Sequence, residues 1–294
     1  MASNCTLSNG CCARHPRLCS QNSFPWTGTT AAIEVIVCRY SEAVHWLKDM
    51  VGNSTLSSAR GLVVNHGSAL HADALSQRVS EWRVANTGNE CGCYLQFITE
   101  RYPTFAPTTL FLQADAHRKL ACLSTLQLPF AYLGRNEWRS MSGGDTDRTC
   151  PGYNARSCEL SLRFGEQCER TTKGLMLVGP GHANFQVSRE RLLRHSRSVW
   201  TKLAAAVDGT EGRFGQSKCS NRARTRWFDC LVMERLWHVM MGEPRVLPAR
   251  LALSLQHCNA SSCPRCENQS PFPCEGCAPR LQPGRAERSS VVVR

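Results

Sequence analysis

Lysine is scarce in this chain. Of the 35 Lys and Arg residues among 294, only five are Lys, so the formal charge of +12 rests almost wholly on arginine. No basic stripe interleaved with aromatics accompanies that charge, and no nucleic-acid-binding motif is present, which argues against a nucleic-acid partner. Nucleoside diphosphates are also anions. No stretch reaches the roughly 18 to 20 consecutive apolar residues of a membrane span. The opening "MASNCTLSNGCCARHPRLCSQ" lacks the apolar centre of a signal peptide, so the sequence reads as soluble as written. Its compartment stays open. Asn4, Asn53, Asn259 and Asn268 stand in N-x-Ser/Thr acceptor triplets, which matter only on the secretory route, expected if the N-terminus is incomplete. There is no internal repeat, and nothing fixes an oligomeric state.

A hydrophobic fraction of 42% leaves room for a sizeable core. Many of the 18 cysteines cluster towards the two ends, in a chain too long to need a disulfide scaffold. Residues 1–30 are polar, Cys-rich and aperiodic, and read as a disordered tail. Residues 31–250 read as one α/β domain with an insertion at 142–174, and 251–294 as a Cys-rich, basic C-terminal tail.

Within the domain, "AAIEVIVCRY" is a β-branched run ending at Arg39 and Tyr40. Ser41 then caps a predicted helix that turns Val44, Leu47 and Val51 inward. "GLVVNHG" predicts a second strand, residues 89–102 a helix, and "TTLFLQ" a third strand running into Asp115. Such alternation predicts a mostly parallel central sheet with flanking helices, with ligands bound beyond the carboxyl ends of its strands. Arg39, Tyr40, His66 and Asp115 all lie at such ends. Further on, "FAYLGRN" and "GLMLVGP" read as short strands. Ser188 caps a helix through Val207, and a last helix ends at Gly242.

Four blocks, "VIVCRYSEAVHWL", "VANTGNECGCYLQFITERYPTFAPTTLFLQAD", "FQVSRERLLRHSRSVWTKL" and "VMERLWHVMMGEP", fall in order between residues 35 and 244. They resemble the domain of unknown function family 3431. Its Arg-Tyr-x-Glu turn falls on Arg39, Tyr40 and Glu42, its Asn-x-Gly-x-Glu helix entry on Asn86, Gly88 and Glu90, and its Phe-Leu-Gln strand end on Phe111, Leu112 and Gln113. Its Glu-Arg-x-Trp helix falls on Glu234, Arg235 and Trp237. Asn89 and Ala43 stand where the family pattern has a basic and an acidic residue. More distantly, the arrangement is similar to nucleotide-sugar glycosyltransferases of the A-type fold. That similarity implies a glycosyltransferase acting on a nucleotide sugar and an unknown acceptor, with a divalent cation, manganese or magnesium. The rival reading is a non-catalytic binding or interaction protein.

On the transferase reading, Arg39, Tyr40, Asn86, Glu90 and Gln113 bind substrate. Asp115 and His117, an Asp-x-His pair, ligate the metal that neutralises the departing diphosphate. The blander account of Asp115 is a polar strand terminus. Glu234 and His238, spaced i, i+4 on an apolar helix, are the candidate catalytic pair; pairing with an arginine such as Arg39 is the alternative. Glu90 also suits the dipole of a helix first turn, and Asn86 the turn before it. In the tail, Cys263-x-x-Cys266 and Cys274-x-x-Cys277 have the spacing of two knuckles of a tetrahedral thiolate zinc site, with disulfides as the alternative.

Overall fold

The computed structural model describes residues 24–26, 31–52, 56, 58–118, 128–133, 139–141, 153–163, 177–179, 183–207 and 228–244. The Cys-rich C-terminal tail, with Cys263, Cys266, Cys274 and Cys277, lies outside the described residues.

Six strands form the main sheet: β1 (Ile33–Arg39), β2 (Ala59–Asn65), β3 (Val79–Arg83), β4 (Thr108–Gln113), β5 (Phe130–Tyr132) and, later in the chain, β8 (Phe185–Ser188). Their order is β3-β2-β1-β4-β8-β5. The pairs β1–β2, β1–β4 and β2–β3 are parallel, and β8 runs antiparallel to both neighbours. Five strands therefore share one direction. The mostly parallel α/β sheet expected from the sequence is present.

The sequence of β1 shows why both faces are covered. Ile36 and Cys38 enter one hydrophobic cluster, while Val35 and Val37 enter the other. A strand with apolar residues at successive positions must be buried on both sides, as in a parallel sheet layered with helices. The first face carries α2 (Asn89–Arg101), α5 (Arg197–Val207) and α6 (Phe228–Met240), which contribute Tyr94, Phe97, Trp200 and Trp237 to its core. The second face carries α1 (Trp46–Gly52), through Leu47, Met50 and Val51.

Several elements differ from the sequence expectation. The first helix starts at Trp46 rather than beside Ser41, because residues 40–45 are spent on a turn. The insertion contains a helix, α3 (Tyr153–Arg163). "GLMLVGP" supplies β7 (Leu177–Gly179), which pairs with β6 (Arg139–Met141) in a separate two-stranded sheet. Ser188 does cap a helix, accepting from the Arg191 N–H, but that helix is the single turn α4 (Arg189–Leu192), and the four residues before it are the antiparallel strand β8. Phe24 and Trp26, inside the stretch read as a tail, pack on the domain: Phe24 meets Trp82 edge-on at 5.1 Å, and the Arg60 guanidinium lies 3.8 Å over Trp26. Gly242 ends the final helix as expected, at φ 80°.

Candidate functional site

The strand order reverses direction between β1 and β4. From β1 the chain first builds outward through β2 and β3, then returns to place β4 on the other side. At that switch the loops leaving the two strands diverge and open a crevice beyond their carboxyl ends. A cleft of about 530 Å³ sits there, within the range of small-ligand sites. Cys38, Arg39, Tyr40 and Glu42 line it from the end of β1, and His66 from the end of β2. Asn86, Asn89 and Glu90 line it from the start of α2, and Gln113, Ala114 and Asp115 from the end of β4.

The Arg-Tyr-x-Glu turn is a self-closing structure. The Glu42 carboxylate accepts from the backbone N–H groups of Tyr40 (2.8 Å) and Ser41 (2.9 Å), while Arg39 Nε donates to the Glu42 carbonyl at 2.8 Å. Burial raises the Glu42 carboxyl's proton affinity, but those N–H groups and Arg39 outweigh it and leave the pKa below the usual value. Arg39 Nη1 donates onward to Asn65 Oδ1 (2.8 Å) and the Ser68 carbonyl (2.7 Å), binding the β2 loop to the β1 loop. Gly67 is required in that loop, since a Cβ there would lie 1.6 Å from the Tyr40 carbonyl oxygen. This explains why Arg39 is not the partner of Glu234: its guanidinium faces the β2 loop.

Across the cleft, Gln113 Nε2 donates to Glu90 Oε1 at 2.8 Å, and Asn184 clamps Gln113 by accepting from its backbone N–H at 2.7 Å and donating to its side-chain oxygen at 3.2 Å. Helix α2 enters this arrangement through Gly88 at φ 100° and Asn89 at φ 51°, a left-handed pair suited to Gly and Asn. All five expected substrate residues, Arg39, Tyr40, Asn86, Glu90 and Gln113, meet in this cleft with Asp115.

The other expected residues lie elsewhere. His117 is not among the lining side chains; its ring lies 5.6 Å from the Trp46 ring, on the α1 side of the sheet. His238 is buried, with Nδ1 3.2 Å from the Tyr132 hydroxyl, and neither it nor Glu234 lines the cleft. Glu234 is still electrostatically close. Burial first, then the negative charges of Glu90, Glu234 and Asp115, push the Tyr94 hydroxyl pKa well above its ordinary value.

A cysteine–histidine cluster at the cleft was not read from the sequence. Cys38 is disulfide-bonded to Cys93 of α2, and the Cys93 Sγ lies 3.4 Å from His66 Nε2. A second disulfide joins Cys91 to Cys230 of α6. Disulfides are consistent with a non-cytosolic protein. The ligand atoms of Cys38, His66 and Cys93 all lie within 4.8 Å of one another, so this group could hold a metal ion were the sulfurs not joined. The available signal was the Cys-x-Cys at 91–93 in a helix start, but its partners stand 55 and 139 residues away and only the fold brings them near.

Burial pulls the His66 pKa down to about 4. The folded chain thus keeps His66 neutral where the unfolded chain protonates it near 6.5. Between those values the unfolded state holds more protons, so stability falls as pH drops from about 6.5 towards 4, by up to about 3 kcal/mol. Urea unfolding of the oxidised protein across this range should show that slope, and His66→Gln should flatten it.

No protein-family model matches the chain, and no curated protein matches it.

Proposed function

We propose that the cleft binds a nucleotide sugar through a divalent cation and that the chain is a glycosyltransferase similar to those of the A-type fold. The observation that carries this reading is the convergence of Arg39, Tyr40, Asn86, Glu90, Gln113 and Asp115 on one cleft at the switch between β1 and β4. Three of the four motifs by which the chain resembles the domain of unknown function family 3431 contribute residues to that cleft.

Charge balance supports the cation. Among the described residues, Glu42, Glu90 and Asp115 place three carboxylates in the lining against the guanidinium of Arg39. A bare diphosphate would be repelled, whereas a diphosphate carrying a divalent ion is accommodated. The donors fit a hard ion such as manganese or magnesium: carboxylate oxygens on Asp115 and Glu90, and amide oxygens on the neighbouring Asn and Gln side chains. When bound, the cation would offset the charge that gathers on the leaving nucleoside diphosphate. Tyr40, 59% exposed at the rim, offers an aromatic face for the base. Asn86 and Asn89 offer hydrogen bonds to ribose or sugar hydroxyls.

The second reading, a binding protein without catalysis, is favoured by one observation. Glu234 and His238, the expected catalytic pair, do not line the cleft. Two measurements separate the readings. Uridine or guanosine diphosphate with manganese should raise the unfolding midpoint by several degrees near saturation, and a chelator should abolish the shift. Release of nucleoside diphosphate from the sugar-bearing donor then distinguishes transferase from binder. No shift with either nucleotide would sink the transferase reading and leave the interaction-protein reading.

A further inference from the structure

We propose that Cys38, His66 and Cys93 form a zinc site that opens when their disulfide is reduced, so that the same three residues exist either as a covalent cross-link or as a metal centre facing the cleft. The inference is independent of the nucleotide reading and uses none of the carboxylates assigned to it.

The geometry supplies three ligands from three separate elements. Cys38 is the penultimate residue of β1, His66 follows the last residue of β2, and Cys93 lies in the first turns of α2. Their ligand atoms are within 4.8 Å of one another, and His66 Nε2 stands 3.4 Å from the Cys93 sulfur. Two thiolates about 2.3 Å and an imidazole nitrogen about 2.0 Å from a shared centre need donor separations of roughly 3.5 to 4 Å in tetrahedral geometry. Breaking the disulfide lets its two sulfurs separate to that spacing by side-chain rotation, since the Cα atoms are already 5.8 Å apart. Cys38 and His66 both line the cleft, so the fourth position faces its interior. Among the described residues no fourth His, Cys, Asp or Glu joins the three, and two thiolates with one imidazole and a position open to the cleft make the donor set of a zinc site able to bind water or a ligand.

The chemistry balances with an external dithiol. Its two thiols reduce the Cys38–Cys93 disulfide to two thiols and become a disulfide themselves. Zinc then binds as the two cysteine protons are released to solvent. An oxidising compartment holds the cross-linked state, and a reducing one frees the zinc ligands.

The test uses the full chain, because the tail cysteines can also take zinc and must be held constant. Wild type, Cys93→Ser, His66→Gln and, as a control, Cys91→Ser are reduced with a dithiol, the reductant is removed anaerobically, and each is equilibrated with zinc chloride and desalted. Zinc per chain is then measured, with circular dichroism recording the fold. Wild type and Cys91→Ser should hold about one ion more than Cys93→Ser and His66→Gln, and cobalt should give thiolate-to-metal charge-transfer absorption that weakens in Cys93→Ser. In the oxidised proteins, with the two sulfurs joined, wild type and His66→Gln should hold equal zinc. Equal zinc in reduced wild type and His66→Gln overturns the proposal, as does loss of the folded signal in reduced wild type with zinc present.

Discussion

Glu34→Gln should cost the protein about 3 to 5 kcal/mol of stability, the range for removing one partner of a buried ion pair. Glu34 is fully buried at the start of β1, and its Oε1 accepts from Arg60 Nη2 at 2.6 Å and from Arg101 Nη2 at 2.8 Å. Its Oε2 accepts from the Ala106 N–H at 3.3 Å. Arg60 is its cross-strand partner in β2, and Arg101 is the last residue of α2. One carboxylate thus joins two strands and a helix. Burial pulls the Arg101 pKa down, and Glu34 offsets this by charge and hydrogen bonding while Arg60 opposes it. Glutamine keeps the shape but leaves two guanidiniums facing each other around a neutral group. Natural domains have only about 5 to 15 kcal/mol in total, so the change should be plain in a urea titration at neutral pH. Burial shields the pair from counter-ions, so raising the salt should recover little. A cost under about 1 kcal/mol would mean that solvent reaches these charges.

The same contacts show why α2 is the element that places the cleft. Its last turn is tied to β1 by Arg101 and Glu34. Its first turns are tied to β1 by Cys93–Cys38 and to α6 by Cys91–Cys230. Glu90 and Asn89, projecting from that fixed first turn, meet the ends of β1 and β4.

Runs such as "VIVC" and "LFL" were legible as strands because their apolar residues are consecutive, which only a doubly covered sheet explains. Edge strand β3, "VSEWR", was not, because only Val79 and Trp82 are buried in it and the pattern falls below any period. Strand β8 was hidden for another reason. Its four residues run straight into the Ser188 cap, and the cap signal is stronger than the strand signal. The placement of Arg39, Tyr40, His66 and Asp115 at one edge of the sheet was legible from topology, since every parallel strand delivers its next residues to the same edge. The disulfides and the place of His117 were not, because both depend on which distant elements pack together. Trp46 is 71 positions before His117 in sequence, and their ring contact follows from how α1 covers the second face.

Asp115→Asn should abolish the manganese-dependent nucleotide stabilisation while leaving the fold nearly as stable as wild type. Asp115 stands two residues beyond β4, half-buried at the cleft, and replacing a carboxylate by an amide there removes a charge without leaving a cavity. A hard divalent ion that loses its anionic ligand should bind at least about 100-fold more weakly, near 3 kcal/mol, which removes the thermal shift at ordinary ligand concentrations. Glu90→Gln should weaken binding less, since one Glu90 oxygen already accepts from Gln113 and is partly neutralised. His117→Ala should leave the manganese-dependent shift in place, because its ring lies against Trp46 rather than in the cleft. This ordering separates a site built on Asp115 and the cleft from one built on the Asp-x-His pair. A folded Asp115→Asn protein with an undiminished manganese-dependent shift would remove Asp115 from the cation site. Loss of the shift in His117→Ala but not in Asp115→Asn would move that site to the α1 side of the sheet.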